Sequence, residues 1–232
     1  MNGEECHNEW EITFEEIHRN AAIAYGVFDY IRHTQDWGYL AEGGFEVLLG
    51  ISRFWSQRVN WSTEKEAYVM LGVTGPNEYE NNINNNWYTN RMAAWTLEWT
   101  VEAHNWLEEN AADALSAITS KTALNADTEF AKWNDIIAKM YYPKSEKLGV
   151  VLQQDGFLDK EQLTADDLRL DERPINQHWS WDRILRSIFI KQADVLQGYY
   201  FLNHLYEQEE VKRNFDFYEP KTVHESSLSP CV

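Results

Sequence analysis

A carboxyl group in the stretch GPNEYENNINNNWYTNR (75–91) has the setting of a general acid. Glu78 follows a Gly-Pro turn, and loops presented by a rigid scaffold are frequent positions for catalytic groups. Its nearest neighbours are Tyr79, Trp87 and neutral amides, with no cation among them. Desolvation that no cation offsets raises the pKa of a carboxyl group, so the pattern favours an acid role for Glu78. The alternative is a solvated carboxylate in a turn.

Asparagine occupies five of the six positions from Asn81 to Asn86. Amide side chains both donate and accept hydrogen bonds, which suits them to sugar hydroxyls and to bracing a loop. Capping of the helix that follows explains one of them. We expect the others to brace the Glu78 loop or to face a polyol.

Lys191 and Gln192 are two adjacent polar residues within the largely apolar stretch IKQADVLQGYY (190–200). The apolar periodicity around them predicts one long helix from about 181 to 206. A lysine in such a helix either extends its ammonium group into solvent or lines a polar cavity, and the periodicity favours the first.

The segment KTVHESSLSP (221–230) could bind an anion. His224, Ser226 and Ser227 offer an imidazole and two hydroxyls, which together with backbone N–H groups could surround a phosphate. The alternative is that the serines cap a following helix. Because the net charge of the chain is −18, an anion site would have to be local.

Several other motifs are missing from the sequence. GxSxG, GxGxxG, GxxxxGK[ST] and HExxH do not occur, which argues against triad, dinucleotide, P-loop and helical zinc chemistry. Cys6 and Cys231 stand at opposite ends of the chain and form no CxxC pair. We therefore predict no metal and no cofactor.

The elements that must hold these residues are mainly helices. Apolar residues three and four positions apart predict a first helix, with Thr13 and Glu16 as its capping box. Its apolar face would consist of Phe14, Ile17, Ala21, Tyr25, Phe28 and Ile31. Further helices are predicted at 44–59, 88–106, 127–141, 181–206 and 208–216, a strand within 148–157, and long functional loops at 60–87 and 142–180.

Composition limits the partners and the location. The chain has 38 acidic and 20 basic residues, which disfavours nucleic acid and anionic membranes. Its first ten residues, MNGEECHNEW, lack the regions of a signal peptide, so we expect a cytoplasmic protein. The polar start and the loop-like end SSLSPCV suggest a piece of a larger protein.

Six stretches of the sequence resemble the glycoside hydrolase family 65 phosphorylases, and most of all the maltose-active members. They occur in the family's order and are CHNEWEITFEEIHRNAAIAY, GGFEVLLGISRFW, GVTGPNEYENNINNNWYTN, QQDGF, IKQADVLQG and VHESSLSP. The resemblance implies an all-α fold, with residues 1–232 as the central portion of an (α/α)6 barrel truncated at both ends. The family's N-terminal β-sandwich and C-terminal sheet would lie outside these residues.

The resemblance also implies roles for single residues. Glu78 would be the general acid, Lys191 and Gln192 would bind the donor glucose, and Ser226 and Ser227 would bind phosphate. The loop from His7 to Glu15 would shape the acceptor subsite. Its candidate contacts are His7, Glu9, Thr13 and Glu15.

The implied reaction is inverting phosphorolysis, in which maltose and phosphate give β-D-glucose 1-phosphate and D-glucose. One acid suffices, because phosphate is already an anionic nucleophile and needs no base, whereas an inverting hydrolase needs two carboxylates. The alternatives are trehalose, kojibiose or nigerose as the disaccharide, an inverting hydrolase with Glu225 as base, or a fragment that is inactive by itself. The family resemblance also allows a homodimer for the full-length protein.

Overall fold

The computed structural model describes residues 12–227 and Ser229, with only the backbone at Ile12. The fold is mostly helical. In chain order the α-helices are α1 (Ile12–Glu15), α2 (Arg19–Thr34), α3 (Phe45–Arg58), α4 (Trp87–Asn110), α5 (Ala112–Thr122), α6 (Ala126–Lys139), α7 (Ile175–His178), α8 (Trp181–Arg186), α9 (Val195–Phe201) and α10 (Gln208–Tyr218). The strands are β1 (Asn60–Ser62), β2 (Ala67–Val69), β3 (Lys144–Ser145) and β4 (Val150–Val151).

The chain divides into two compact units. One consists of 18–70 and 90–141, and the other of 1–17, 71–89 and 142–232. Two short antiparallel hairpins, β1–β2 and β3–β4, are the sheets of the described residues, and neither is closed. None of the described helices is long and apolar enough to cross a membrane.

The unit of 18–70 and 90–141 is a set of helices around an apolar core. Helix α2 buries a stripe of small and branched residues, and α3 buries Leu48, Leu49 and Trp55. A buried hydroxyl pair, Ser52 Oγ and Thr100 Oγ1 at 2.8 Å, joins α3 to α4. Arg53 binds Glu129 through two hydrogen bonds of 2.7 and 2.8 Å, which fixes α3 against α6.

The unit of 1–17, 71–89 and 142–232 is built from short elements and long loops. Its apolar cluster contains Tyr79, Leu168, Ile175, Ile184, Phe189 and Val223. Helix α9 packs closely on the start of α4: Trp87 stacks on Tyr199 with ring centroids 5.0 Å apart. A Cβ on Gly198 would lie 2.6 Å from Trp87, so glycine is required there for space.

The prediction of the first helix was wrong in its start. Helix α2 begins at Arg19, and Phe14 is 71% exposed rather than part of an apolar face. The cause is tertiary: the Glu15 carbonyl accepts hydrogen bonds from Ile17 N–H (2.8 Å) and Thr74 N–H (3.1 Å), which ends α1. Downstream the periodicity was correct, since Ala21 and Ile31 are buried.

The prediction of one helix over 181–206 was also wrong. Helix α8 ends at Arg186, α9 begins at Val195, and the residues between them are extended or bent. The N–H groups of Ile188 and Ile190 donate to the carbonyls of Glu161 (3.1 Å) and Lys221 (3.0 Å) instead of within a helix. A short buried apolar run is compatible with either structure, so its periodicity could not decide.

Other predicted elements agree with the structure within a few residues. Helices α3, α4, α6 and α10 match the predicted 44–59, 88–106, 127–141 and 208–216. Helix α5 was not predicted, the strand within 148–157 is only Val150–Val151, and the loop 60–87 contains the β1–β2 hairpin. The expected all-α class is confirmed.

Candidate active site

Glu78 and Lys191 form an ion pair. The Lys191 ammonium group contacts Glu78 Oε2, and the two side chains are 20% and 30% exposed. The expectation that no cation lies near Glu78 was therefore wrong, as was the expectation that Lys191 extends into solvent from a helix. Sequence neighbours gave no sign of this contact because 113 residues separate the two. The pair sets a proton donor or acceptor beside a group that can hydrogen-bond to sugar hydroxyls.

The backbone on both sides of this ion pair is held by one amide. Asn77 Oδ1 accepts hydrogen bonds from the N–H of Tyr79 (3.1 Å) and from the N–H of Lys191 (3.0 Å). Asn77 is fully buried, whereas Glu78 and Lys191 are partly exposed. The two partly exposed side chains of the ion pair are thus carried on a buried polar support.

Asp194 lies beneath this support and is itself buried. It accepts hydrogen bonds from Asn77 N–H at 3.2 Å and from Asn86 Nδ2 at 3.0 and 3.1 Å. Burial raises the pKa of Asp194 to about 7, although the hydrogen bonds from Asn86 and Asn77 act in the opposite direction. Gly75 packs against this carboxylate, where a Cβ would lie 2.3 Å from Asp194 Oδ2.

The asparagine run supplies hydrogen bonds at several points of the loop. Asn86 Oδ1 accepts from Thr89 N–H (2.8 Å) and Thr89 Oγ1 (2.7 Å) and so caps α4, as expected for one member of the run. Asn85 Nδ2 donates to Asp155 Oδ2 at 2.6 Å. Asn84 Oδ1 accepts from Gly72 N–H at 3.1 Å. These contacts brace the loop that carries Glu78.

Two of the predicted acceptor-subsite residues are buried. Glu15 Oε2 accepts hydrogen bonds from Thr74 Oγ1 (2.8 Å) and Asn82 N–H (2.6 Å), so its carboxylate braces the Glu78 loop from the other side. Thr13 is 9% exposed. The other two candidates, His7 and Glu9, lie outside the described residues, so the acceptor role of this segment stays a prediction.

Gln192 has the properties of a binding residue. Its side chain is buried, and among the described residues Gln192 Oε1 has no hydrogen-bond partner. Gln153 Oε1, in the QQDGF stretch, likewise has none within the described part of the chain, while its Nε2 donates to Gln154 Oε1 at 2.8 Å. Buried acceptors without partners are unusual, and a ligand hydroxyl could satisfy them.

A second ion pair close to Glu78 in sequence was not predicted. Lys160 Nζ contacts Glu80 Oε1, and Glu80 is only 4% exposed at its side chain. Burial raises the pKa of Glu80, and the Lys160 ammonium opposes that shift. The buried pair is more suited to holding the loop than to chemistry, since a reacting group must be reachable.

The serine segment is tied to the Glu78 loop through Glu225. Its carboxylate accepts hydrogen bonds from Tyr79 Oη at 2.6 Å and from Ile175 N–H at 2.9 and 3.0 Å. Burial, followed by the contact with Glu225, raises the pKa of the Tyr79 hydroxyl. The side chains of Tyr79, which follows Glu78, and of Glu225, which precedes Ser226, are thereby joined by a hydrogen bond.

The three predicted phosphate-binding residues flank Glu225: His224 precedes it, and Ser226 and Ser227 follow it. Ser226 is half-buried and Ser227 is exposed. His224 is exposed and adopts a left-handed backbone conformation with φ of 54°, while its Nδ1 lies 2.7 Å from Ser229 Oγ. Phosphate binding by this segment stays a prediction.

Metal ligands are not clustered in the described part of the chain. No group of three or more His, Cys, Asp or Glu side chains there could hold a metal ion. The expectation of no metal and no cofactor is not tested by that observation and stays a prediction.

Comparison with known proteins agrees with the motifs. The family model described as "Glycosyl hydrolase family 65 central catalytic domain" matches residues 1–232. The maltose phosphorylase of Bacillus subtilis (strain 168) is 56% identical over 230 residues, which are 99% of this chain and 29% of that protein. The kojibiose phosphorylase of Halothermothrix orenii is 37% identical over 94% of this chain and 28% of its own length.

The chain therefore belongs to glycoside hydrolase family 65. A solved chain described as "Putative kojibiose phosphorylase from human microbiome" superposes with a TM-score of 0.87 at 30% identity, covering 99% of this chain and 31% of that one. The expected all-α part of an (α/α)6 barrel is confirmed by this likeness together with the helical content. The chain spans less than a third of the length of these relatives.

Proposed function

We propose that this chain carries the acid and the phosphate-binding segment of an inverting disaccharide phosphorylase whose substrate is maltose. The observation that carries the proposal is the tether from Glu78 through Tyr79 to Glu225 and Ser226, with Tyr79 Oη 2.6 Å from Glu225 Oε2. It connects the candidate acid and the candidate anion site within one unit. Similarity to the maltose phosphorylase of Bacillus subtilis supports the choice of substrate.

The reaction would proceed in one displacement. Glu78, as the general acid, donates a proton to the glycosidic oxygen, and the bond from that oxygen to the anomeric carbon breaks. A phosphate oxygen attacks the anomeric carbon from the opposite face and forms the new bond. The products are D-glucose and β-D-glucose 1-phosphate, so the α-linkage of maltose is inverted.

The other residues would position the reactants. Lys191 and Gln192 would bind hydroxyls of the donor glucose, since one offers an ammonium group beside the acid and the other an acceptor without a partner among the described residues. Hydroxyls of Ser226 and Ser227 would bind phosphate. Holding phosphate in line with the scissile bond converts a bimolecular step into one within the complex.

The hydrolase alternative has little structural support. It needs a carboxylate that activates water, and Glu225 is the candidate in the serine segment. Both oxygens of Glu225 already accept hydrogen bonds, from the Tyr79 hydroxyl and the Ile175 N–H. These hydrogen bonds give the Glu225 carboxylate a structural role in this unit.

The test uses the 232-residue chain by itself and in a chimera, where it replaces the aligned 29% of the Bacillus subtilis maltose phosphorylase. Each is incubated with maltose, with and without inorganic phosphate, and the anomeric protons are followed by NMR. We expect β-D-glucose 1-phosphate only when phosphate is present. Glucose released at the same rate without phosphate would overturn the phosphorylase proposal.

The choice of disaccharide is tested separately. Trehalose, kojibiose and nigerose are offered to the chimera in place of maltose. Turnover of one of these, with none of maltose, would reject maltose as the substrate and keep the mechanism. The cytoplasmic location and the homodimer expected from the sequence stay predictions.

A further inference from the structure

We propose that Asn77 is a positioning residue that sets Glu78 and Lys191 in register with each other. This inference rests on the proposed function, because it concerns how the acid and the donor-binding lysine of that site are held. The arrangement is called here the Asn77 clamp. It consists of Asn77 Oδ1 and the N–H groups of Tyr79 and Lys191.

The clamp acts on two segments that are far apart in sequence. The hydrogen bond to Tyr79 N–H (3.1 Å) closes a turn around Glu78 itself. The hydrogen bond to Lys191 N–H (3.0 Å) fixes a segment 114 residues away. Asn77 Oδ1 thus holds the backbone of the Glu78 turn next to the backbone of Lys191. The ion pair between the Glu78 and Lys191 side chains forms between these two fixed segments.

The clamp is held in place because Asn77 is buried and its own backbone is hydrogen-bonded to Asp194. Asn77 is fully buried, and its own N–H donates to Asp194 Oδ2 at 3.2 Å. Asp194 is held in turn by Asn86, the residue that caps α4. A hydrogen bond shielded from water is stronger and loses more when one partner is removed.

Asn77 does not need to touch the substrate for this role. The side chains beside it that keep partial exposure are those of Glu78 and Lys191, whereas Asn77 has no accessible surface. Within the described residues Asn77 Nδ2 has no hydrogen-bond partner, so the bonds made by Oδ1 carry the contribution of this side chain.

Two substitutions separate the two ends of the clamp. In Asn77→Ser the hydroxyl can still accept from the N–H two residues on, as serine turns do, but it is too short to reach Lys191 N–H. In Asn77→Ala both hydrogen bonds are lost. The matched control is Asn90→Ala, which truncates another fully buried asparagine, one whose Nδ2 donates to Tyr141 O at 2.8 Å.

The experiment measures kcat and KM for maltose at saturating inorganic phosphate, in the chimera described above. In Asn77→Ser we expect KM to rise about tenfold with kcat within about twofold, because Lys191 loses one hydrogen bond and the Glu78 turn keeps its own. In Asn77→Ala we expect kcat to fall about tenfold as well. Asn90→Ala should leave both constants within about twofold of the unsubstituted chimera.

Equal kinetic changes in Asn77→Ser and Asn77→Ala would overturn the two-ended clamp, as would constants in both that match the Asn90→Ala control. Amide hydrogen exchange in peptides that span Lys191 or Tyr79 gives a readout independent of activity. Asn77→Ser should lose protection at Lys191 and keep it at Tyr79. If the unsubstituted chimera shows no phosphorolysis, the proposed function fails, and this exchange pattern still decides the clamp.

Discussion

At the scale of single residues, the candidate site is defined by which charged side chains a substrate could reach. Glu78 and Lys191 keep partial exposure, whereas Asp194, Glu80 and Glu15 are buried in hydrogen-bonded positions. A general acid must reach the glycosidic oxygen, so the buried carboxylates are excluded from that step by access alone. In the proposed reaction the acid role therefore falls to Glu78.

Substitution of that carboxyl group should remove the acid and little else. In Glu78→Gln we expect kcat on maltose to fall about 10²- to 10⁴-fold, the usual contribution of general acid catalysis. Phosphorolysis of α-D-glucosyl fluoride should be much less affected, because fluoride leaves without protonation. Glu146→Gln is the control, since Glu146 is 80% exposed and pairs only with Lys144 in the described residues. Equal losses on both substrates would contradict the acid role.

The buried carboxyl group of Asp194 should give the folded chain a recognisable pH dependence. Its pKa is raised from 3.8 to about 7, so between these values the folded state binds more protons than the unfolded state. The contribution of Asp194 to stability is therefore fully present below about pH 4 and is lost as pH rises towards 7. Asp194→Asn removes this dependence.

We expect the free energy of unfolding of Asp194→Asn, relative to that of the unsubstituted chain, to increase as pH rises from 5 to 7, because only the unsubstituted chain loses stability there. Chemical denaturation at each pH measures it. In the control Asp182→Asn, the lost group has its pKa lowered by Arg186, so its contribution changes only at more acidic pH. A difference for Asp194→Asn that stays flat from pH 5 to 7 would contradict the prediction.

At the scale of elements, the site depends on irregular backbone packed between short helices. The loop with Glu78 runs from β2 to α4, and the segment with Lys191 runs from α8 to α9. Isolated bridges rather than ladders pair the backbone of these segments, as between Val73 and Ile83, so side chains such as Asn77 and Asn86 supply further hydrogen bonds. Close backbone approach is possible only where a side chain is absent, as at Gly75.

Filling that position should disturb the loop. In Gly75→Ala the added Cβ would lie 2.3 Å from Asp194 Oδ2 and 2.5 Å from Asn86 Nδ2, two atoms that are already hydrogen-bonded. We expect a loss of about 1–3 kcal/mol in the free energy of unfolding. Gly50→Ala in α3 is the matched control, because its added Cβ would meet nothing within 4 Å beyond its chain neighbours and the backbone of its own helix.

The control should act in the opposite direction. Alanine is favoured over glycine in a helix interior by about 1 kcal/mol, so Gly50→Ala should stabilise the chain. Chemical denaturation of both variants measures the two effects. Equal stability of Gly75→Ala and the unsubstituted chain would show that the loop can move away from Asp194.

At the scale of the whole molecule, charge and chain order set the conditions for folding. All the described candidate residues lie in the unit that is assembled from 1–17, 71–89 and 142–232. Its contacts join residues more than 100 positions apart, as between Asn77 and Lys191, so the site forms only when distant segments meet. The net charge of −18 opposes that compaction.

Salt should therefore stabilise the chain. We expect the midpoint of thermal unfolding to rise between about 10 mM and 150 mM NaCl, over which the Debye length falls from about 30 Å to about 8 Å. Screened repulsion among the excess acidic groups outweighs the weakening of exposed ion pairs, which contribute little. Sucrose at matched osmolality is the control. A midpoint that falls with NaCl would indicate that the ion pairs dominate.

Much of the helical framework and the family could be predicted from the sequence. Long periodic stretches such as 88–106 predict helices because one apolar face must be buried, and the helix α4 covers that stretch. The order of the six family stretches was enough for the resemblance, which the family match over 1–232 confirms. The cap on α4 was also predictable, since Asn86 acts within three residues.

The geometry of the site was decided by tertiary structure alone. The ion pair of Glu78 with Lys191, the tether of Tyr79 to Glu225 and the double hydrogen bond of Asn77 all join residues distant in sequence. Local pattern extends over a few residues, whereas these contacts depend on how separated segments pack. For the same reason the helix predicted over 181–206 is interrupted: its N–H groups found partners at Glu161 and Lys221 that no local pattern contains.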